Sequence, residues 1–303
     1  MRPDTVGTEK RHFGPYTSRA HRTRYIVVLL SLIAAAVLLT LLTLGWGNSQ
    51  EPFSEPWWRI AAMRSTSIIV IALVTFCQSF ATVTFQTVTH NRIITPSIMG
   101  FESMYVLVQT AIVYFFGVAG LVNFDNFGRF LLQVGVMVLF AVLLYSWLLS
   151  GRLGNLHVML LVGIIIGTGL GALSTFMQRM LDPNEFDILT ARLFGNVGNA
   201  NTEYLAFVIP VCAIVGLTIW MLARRLNVIS LGSDISQNLG LNHKRQLMVM
   251  LTLVAIIMAM STSLVGPMTF LGFLIATLTY SVTDTYDHRR LLPAERAAVG
   301  FQR

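Results

Sequence analysis

The chain has 303 residues, of which 54% are apolar and 12% are charged, whereas roughly 25% of residues are charged in soluble domains. This composition indicates a membrane protein and excludes an ordinary soluble domain. The formal net charge of +7 does not indicate a nucleic-acid binder, because the basic residues lie between apolar runs and form no basic face.

Eight apolar runs follow a polar, basic tail at residues 1–24. A helix needs about 20 apolar residues to cross a bilayer, and the first run is too long for the core of a signal peptide. The runs are continuous and lack the alternation of barrel strands. We therefore predict an all-α, multi-pass membrane bundle with spans at 25–44, 65–88, 103–122, 130–149, 156–176, 204–222, 247–264 and, in a shorter run, 267–282.

The charges of the loops predict the orientation of these spans. Eight crossings place both termini on one side, and with that side in the cytoplasm the loops follow the positive-inside rule. The 21 Lys and Arg residues then all lie on the cytoplasmic side, except Arg59, Arg64, Arg129, Arg179 and Arg192. These arginines on the outer side need a separate reason.

Polar side chains interrupt the second and third runs, where Gln78, Gln86, Glu102 and Gln109 stand among apolar residues. Polar groups at membrane depth usually face a protein interior or a water-filled cavity. Hydrogen bonds between helices explain a single Ser or Thr there, but the whole set favours the lining of a pathway. For Glu102 a second interpretation stays open, a solvated helix end at the cytoplasmic interface.

Gly163, Gly167 and Gly171 form a small-xxx-small pattern in the fifth run. Such a pattern lets two helix backbones approach each other closely. It predicts tight helix packing and requires no substrate.

The residues that could perform catalysis lack the usual spacings. The histidines show no H-E-x-x-H pattern, and Cys77 and Cys212 lie inside apolar runs, which disfavours a disulfide or a metal site. Neither lysine, Lys10 or Lys244, follows a glycine, so the Gly-Lys-Ser/Thr of a P-loop is absent. The sequence predicts a chain that is no enzyme and has no cofactor or metal centre, and an intramembrane enzyme is disfavoured.

The longest predicted cytoplasmic loop, residues 223–246, contains the signals of a short helix. Ser233 or Asp234 can cap its start. Ile235 and Leu239 share one face, and Gly240 is placed to end the helix. An apolar face in a connecting loop has little to bury against, which favours docking of a partner. The alternative is a helix that lies on the membrane surface.

The stretch FQTVTHNRIITPSIMGFESMYVLVQT, residues 85–110, resembles the permease subunits of iron-siderophore ABC importers, a family that also contains the cobalamin importer permease. Its Gln86, Asn91, Pro96 and Gly100 match the family's link between the second and third membrane helices. NRIITPSIMGFESMY is similar to the subgroup that imports catecholate-type siderophores through two different permeases. SQNLGLNHKR resembles the family's coupling segment, and VGPMTFLGFLIATLTYSVTDTYDHRRLLP resembles its next helix and loop. The resemblance extends from Arg59 to the C-terminus.

Together with the polar pattern, the resemblance implies roles for three sets of residues. A translocation pathway is implied for Gln78, Gln86, Asn91, Pro96, Gly100, Glu102 and Gln109. Contact with an ATPase is implied for the coupling segment within 223–246, namely Ser233, Asp234, Ile235, Leu239, Gly240 and Leu241. Docking of a binding protein is implied for Arg59 and Arg64, where RIAAMR replaces the family's Arg-Leu-Pro-Arg.

The resemblance further implies a permease domain at residues 25–303 in a bacterial cytoplasmic membrane, with the N-terminus in the cytoplasm. The expected partners are ABC ATPase subunits that bind the ATP, a second, paralogous permease, an extracytoplasmic siderophore-binding protein, the ferric siderophore and membrane lipid, but no nucleic acid. The family's permeases have ten helices. This chain has only eight runs and ends in AERAAVGFQR. We therefore expect it to be either a truncated copy or a shorter natural variant.

The expected function is that of a permease subunit that moves a ferric siderophore and is driven by separate ATPase subunits. The alternative is a secondary transporter of a small polar solute. Such a transporter should show ionisable residues at the membrane midplane and two related halves of the chain. Only Glu102 is such a residue, and no second half matches the first.

Overall fold

The computed structural model describes residues 19–46, 51, 54–123, 127–150, 156–195, 197–283 and 288. Within these ranges the chain is helical and contains no strand, which confirms the predicted all-α class. Most of the predicted basic tail, residues 1–18, and the chain end from residue 289 lie outside the described residues. The helices are α1 (Arg19–Gly45), α2 (Glu55–Thr89), α3 (Phe101–Asn123), α4 (Phe127–Ser150), α5 (Leu156–Gln178), α6 (Pro183–Leu193), α7 (Thr202–Met221), α8 (Ala223–Ile229), α9 (Ser233–Asn238), α10 (His243–Val265) and α11 (Leu271–Thr283).

The eight predicted runs are helical over most of their length. Among the described residues, five helical stretches are long and apolar enough to cross a membrane: Glu55–Thr89, Phe127–Leu149, Val158–Gln178, Thr202–Met221 and His243–Val265. Three further apolar stretches are shorter: Ile33–Gly45, Phe101–Gly117 and Leu271–Ser281. The run at 103–122 is not one continuous helix, because Gly117 adopts φ 64° and ψ −172° inside α3.

Helix α10 runs through the middle of the bundle and defines its two ends. It packs against α2 and α4, and Val254, Ala255 and Met258 on it are completely buried. It starts just after α9, and at its other end the backbone of Gly266 contacts that of Gly195, which follows α6. We name these the α9 end and the α6 end of the bundle. They lie about 34 Å apart along α10.

Helix α2 begins earlier than the predicted span because its start is capped. Ser54 accepts a hydrogen bond from the backbone N–H of Trp57 at 3.3 Å, and a proline lies in the first turn. With 35 residues, α2 is about 52 Å long and extends beyond a hydrocarbon core of roughly 30 Å. Near its start, Arg64 donates to the carbonyls of Thr43 at 2.9 Å and Trp46 at 2.7 Å. This arginine therefore fixes the end of α1.

Helix α6 is missing from the predicted spans. It has 11 residues, so a search for membrane-length runs does not find it. Its start nevertheless carries recognisable signals, since Asp182 occupies the N-cap position and Pro183 the first turn. Leu189 anchors the helix in a small apolar cluster with Val113 of α3.

Two interruptions divide the helices in the region of the predicted pathway. Residues 90–100 connect α2 to α3, and residues 266–270 connect α10 to α11, so the last predicted span becomes helical only at Leu271. The first interruption is mostly buried from Thr95 onward, whereas Thr269 and Phe270 in the second are exposed. At membrane depth, non-helical backbone is tolerated only where it is buried in protein or lines a water-filled cavity.

Candidate functional site

The connection between α2 and α3, residues 90–100, contains the motif found in the sequence, and we name it the signature turn. Gln86 precedes it and donates through Nε2 to the carbonyl of Arg92 at 2.7 Å. Asn91 accepts the backbone N–H of Ile93 through Oδ1 at 2.9 Å. Both motif side chains are therefore used to shape the turn.

The second half of the signature turn rests on α5. Pro96 opens a short 3-10 turn, and Gly100 follows it with φ 93°, a left-handed conformation that favours glycine. A methyl group on Gly167 would lie 2.9 Å from the Cα of Gly100, and one on Gly163 would lie 2.7 Å from the side chain of Met99. The predicted close packing is confirmed at Gly163 and Gly167, whereas a methyl group on Gly171 would meet only an ordinary contact with Ser103 at 3.9 Å. The partner of Gly163 and Gly167 is the signature turn.

Glu102 lies in the first turn of α3 and faces the second interruption. Thr269 donates to one carboxylate oxygen at 2.5 Å, while Oε1 is buried without a partner in the described part of the chain. Nearby, Gly272 of α11 lies against Gln78 and Thr82 of α2. These two residues precede Thr89, the last residue of α2, by about 10 to 16 Å along the helix. Glu102 is therefore partly buried and contacts the second interruption. Both interpretations of Glu102, a pathway residue and a solvated helix end, stay predictions.

Gln78 is buried on α2, where it and Thr82 lie against Gly272 of α11. Among the described residues, α2 and α10 carry side-chain atoms that are buried without a hydrogen-bond partner on Gln78, Ser79, Thr82, Thr84, Ser261 and Thr262. A pathway role for Gln78, Gln86, Asn91, Pro96, Gly100, Glu102 and Gln109 stays a prediction.

A cavity of about 260 Å³ lies at the α6 end, between α3, α4, α6, α7 and α10. Its polar side chains include Tyr105, Gln109, Arg129, Gln133, Arg192 and Tyr204. No Asp or Glu lines it among the residues that the structure describes. Of the predicted pathway residues, Gln109 lines this cavity and the other six do not.

A relay of hydrogen bonds connects the cavity wall across α3 and α4. The guanidinium group of Arg129 donates to Oε1 of Gln109. Gln109 in turn donates through Nε2 to Oε1 of Gln133 at 2.8 Å. Gln109 is 5% exposed and Gln133 is 3% exposed, and Nε2 of Gln133 has no partner in the described part of the chain. The relay therefore ends in a buried donor at the cavity.

The cavity explains two of the arginines that the positive-inside rule left over. Arg129 and Arg192 both line it, whereas Arg179 is exposed at the end of α5. The sequence reasoning missed Gln133, Arg129 and Arg192 as site residues. The misplaced positive charges were the signal that could have found the two arginines.

Helix α9 presents its apolar face to the outside, since Ile235 is 49% exposed and Leu239 is 61% exposed. The predicted cap by Ser233 or Asp234 is wrong, because the helix begins after Gly232 without a side-chain cap.

The end of α9 agrees with the sequence prediction. Gly240 has φ 81° and donates its N–H to the carbonyl of Gln237 at 2.9 Å, while Leu241 donates to that of Ser236 at 3.0 Å. These two bonds form a Schellman motif, for which glycine is preferred.

Short polar contacts attach this region to the long helices. The buried Ser236 of α9 lies 2.7 Å from Nδ1 of His243, the first residue of α10. At the end of α2, His90 donates through Nε2 to the carbonyl of Ile229 in α8 at 3.1 Å. A displacement of α8 and α9 would therefore move α10 and the end of α2.

The two predicted docking arginines differ in their surroundings. Arg59 is exposed and forms an ion pair at 3.0 Å with Glu55, one turn earlier in α2. Arg64 is held by the carbonyls at the end of α1. Arg59 is thus the better placed of the two for a contact with another protein.

Comparison with known proteins identifies the family. The model of the FecCD transport family matches residues 24–299. The chain belongs to the FecCD transport family. The matched region includes the signature turn, the cavity and α9.

Named FecCD relatives resemble the chain over most of its length. The petrobactin import system permease protein FatC of Bacillus anthracis is 46% identical over 297 residues, which cover 98% of this chain and 84% of FatC. The petrobactin import system permease protein YclO of Bacillus subtilis is 37% identical over 236 residues, which cover 78% of this chain and 75% of YclO.

A solved structure shares the fold of this FecCD protein. It is assigned as a metal-chelate type ABC transporter in an inward-facing conformation, with a TM-score of 0.76 and 21% identity, over 91% of this chain and 87% of the other. At that identity the likeness concerns the fold alone. The FecCD chain is accordingly a multi-pass, all-helical transport protein.

Proposed function

We propose that this chain is the permease subunit of an ATP-driven importer for ferric siderophores of the catecholate type. The observation that carries the proposal is the 46% identity to a petrobactin import permease over 98% of the chain. Membership of the FecCD family supports it over the alternative of a secondary transporter. The iron would travel as a chelate, so the cargo requires no ligand set from the protein.

The α9 end would face the cytoplasm and the α6 end the outside. The α9 end carries Arg224, Arg225, Lys244 and Arg245, whereas the cavity at the α6 end has the two arginines Arg129 and Arg192. This distribution supports the orientation by the positive-inside rule. In this orientation the N-terminus would lie in the cytoplasm of a bacterium, and the cavity would face the substrate side.

A second, paralogous permease would cover the side of the bundle at the interruption between α10 and α11. Phe270 is 74% exposed there, and non-helical backbone at membrane depth would need a protein neighbour in place of lipid. Glu102 is bonded to Thr269 of the same interruption. This face therefore suits a protein neighbour and the translocation pathway between two permeases.

Helix α10 would transmit the work of the ATPases. Closure of ATP-bound ATPase subunits would displace α9, and the contact between Ser236 and His243 would pass this displacement to α10. The other end of α10 reaches the cavity through Ser263 and Val265. One rigid helix thus links the proposed ATPase contact to the proposed substrate side.

The test of this function is uptake in a bacterial strain that lacks its own ferric catecholate permeases. We expect uptake of iron-labelled petrobactin when the chain is produced with its second permease, ATPase and binding protein. Uptake should stop when ATP hydrolysis is blocked by substitution in the ATPase. An assembled complex that imports none of the catecholate chelates would contradict the proposal.

We expect the purified chain, reconstituted alone, to show no ATPase activity, because it lacks a Gly-Lys-Ser/Thr loop. Phosphate release from proteoliposomes measures this directly. As a control, proteoliposomes that also contain the ATPase subunits should hydrolyse ATP. Turnover that persists in the chain alone after removal of contaminating ATPases would overturn its assignment as a transport subunit.

Charge reversal by Arg59→Glu should slow association of the binding protein by up to about tenfold at low salt, because exposed charges at the edge of an interface chiefly set the encounter rate. Association with the complex in nanodiscs measures the effect across salt concentrations. Glu55→Gln, which removes only the ion-pair partner, is the matched control. An unchanged rate at low salt would exclude a docking role for Arg59.

A further inference from the structure

A buried histidine joins three separate segments of the chain near the α9 end of the bundle. His288 lies beyond Thr283, the last residue of α11, and is 6% exposed. Its Nε2 lies 2.7 Å from the hydroxyl oxygen of Thr87, in the last turn of α2. Its Nδ1 lies 2.5 Å from Oδ1 of Asn227 in α8. We name Thr87, Asn227 and His288 the histidine clasp.

The partners of the histidine assign the hydrogen atoms of the clasp. The backbone N–H of His288 donates to Asn227 at 3.1 Å, so the atom of Asn227 that faces the histidine is the amide oxygen. That oxygen only accepts, and Nδ1 therefore carries a proton and donates to it. Nε2 accepts the hydroxyl proton of Thr87 when the ring is neutral and donates to the hydroxyl oxygen when the ring is charged. The clasp thus holds in either protonation state of His288.

The clasp is attached to the start of the signature turn. The carbonyl of Thr87 accepts the backbone N–H of His90, the first residue of the turn, at 3.3 Å. The side chain of His90 bonds to the carbonyl of Ile229 in α8. Two residues later, the guanidinium carbon of Arg92 lies 4.7 Å from the ring centre of Tyr280 in α11, a cation–π distance. The first residues of the turn are therefore held by α8 and by α11 with its continuation.

Helix α8 connects the clasp to the exposed apolar face of α9. Leu226 and Ile229 of α8 are completely buried, and α8 packs against α2. Only three residues separate Ile229 from Ser233, the first residue of α9, and Gly232 among them donates to the carbonyl of Ile229 at 3.0 Å. Closely packed interiors transmit strain. A displacement of α9 therefore displaces α8 and, through the clasp, the last turn of α2.

We propose that His288 is a positioning residue of the ATP-driven transport cycle, which holds α8 to the end of α2 so that movement of α9 reaches the signature turn. This route differs from the one along α10, which starts at the contact between Ser236 and His243 and runs to the cavity. The proposal deepens the proposed function and rests on it for the ATP-driven displacement of α9.

The chain offers matched variants for this test. Thr87→Val removes the hydroxyl group of the clasp and keeps the shape of the side chain. Thr89→Val is its control, because Thr89 is also buried in the last turn of α2 and its hydroxyl donates to the carbonyl of Phe85 in the same helix at 2.8 Å. Asn227→Leu removes the acceptor on α8, whereas Asn227→Asp keeps an acceptor oxygen. His288→Asn keeps a donor near the position of Nδ1 but is too short to reach Thr87.

The first measurement is the number of ATP molecules hydrolysed per ferric catecholate imported by the complete transporter in proteoliposomes. We expect Thr87→Val, Asn227→Leu and His288→Asn each to raise this number about tenfold or more, as for the loss of a buried hydrogen bond. Thr89→Val and Asn227→Asp should leave it close to that of the unchanged chain. A purely structural defect would lower hydrolysis and uptake together and leave their ratio unchanged, which would contradict the clasp.

The second measurement needs no cargo and follows the movement itself. Ile93 in the signature turn is 74% exposed, and Leu231 next to α9 is 54% exposed, so Ile93→Cys and Leu231→Cys each accept a spin label, whereas Cys77 and Cys212 are buried. In the otherwise unchanged complex, ATP binding should alter the mobility of both labels. With Thr87→Val added, the label of Leu231→Cys should still respond and that of Ile93→Cys should not.

The outcomes separate the clasp from the import function. Loss of the response at Ile93→Cys in a complex that imports no chelate would support the clasp and contradict the proposed function. Normal uptake with an unchanged ratio of ATP to chelate in both Thr87→Val and Asn227→Leu would overturn the clasp and leave the function standing. Equal losses in Thr87→Val and Thr89→Val would assign the effect to the stability of α2 and would overturn the clasp as well.

Discussion

Replacing both Ile235 and Leu239 with Asp should remove most uptake of a ferric siderophore while the amount of the chain in the membrane stays the same. Both side chains are exposed in the chain alone. In an apolar groove of an ATPase they would lose water on binding, and two carboxylates would be buried there without partners. Loss of a central apolar anchor costs about 2 kcal/mol or more, which lowers occupancy roughly thirtyfold. Uptake and co-purification of the ATPase are the two measurements, and both should fall together.

The control for this variant lies on the same short helix. Gln237 is exposed and lies about 200° around the helix from Ile235, so Gln237→Asp adds a charge on the opposite face. It should leave uptake and ATPase binding unchanged, whereas the single variants Ile235→Asp and Leu239→Asp should each show part of the loss. If the double variant keeps its ATPase and transports normally, α9 is a surface helix and has no coupling role.

The membrane helices were predictable because their signal is local. A run of about 20 apolar residues is long enough to cross the bilayer, and it must be helical there because unpaired backbone groups are costly in lipid. This argument does not depend on the neighbouring helices. The exceptions are two breaks in the predicted helices. Gly117 breaks α3, and the run at 267–282 becomes helical only at Leu271. Hydropathy does not distinguish an apolar helix from an apolar turn that packs against protein.

The motif around the signature turn was recognisable in sequence, but the contacts of its residues were not. Gln86 and Asn91 are polar residues at membrane depth, which predicts a pathway lining by the general rule. In the structure their side chains bond to the backbone of the turn. Spacing along the chain cannot distinguish a side chain that faces a pathway from one that holds a loop in shape.

The cavity was the least predictable part because its walls come from distant segments. Arg129 follows a loop and Arg192 closes a short helix that no hydropathy search finds, so only the fold brings them together. The sequence nevertheless contained a usable anomaly, since both are positive charges on the predicted outer side. A violation of the positive-inside rule was therefore a better pointer to this cavity than any motif.

Gly167→Ala should destabilise the chain by about 1 to 3 kcal/mol, the usual cost of overpacking a tight contact. The new methyl group would lie 2.9 Å from the Cα of Gly100. Gly100 cannot retreat easily, because its φ of 93° closes the signature turn. The methyl group is fixed to the backbone of α5 and meets a backbone atom of Gly100, so no side-chain rotation relieves the clash. We expect a lower unfolding temperature of the full chain in detergent and reduced uptake, because the turn is pushed away from α5.

Two other glycines of α5 make this prediction a graded series. An added methyl group on Gly163 meets the flexible side chain of Met99, whereas one on Gly169 meets nothing within 4 Å. Gly163→Ala should therefore be mild, and Gly169→Ala should be neutral or slightly stabilising, because alanine is the better helix former. The order of unfolding temperatures should be Gly169→Ala, then Gly163→Ala, then Gly167→Ala. Equal values for Gly167→Ala and Gly169→Ala would mean that the signature turn does not rest on α5 at this contact.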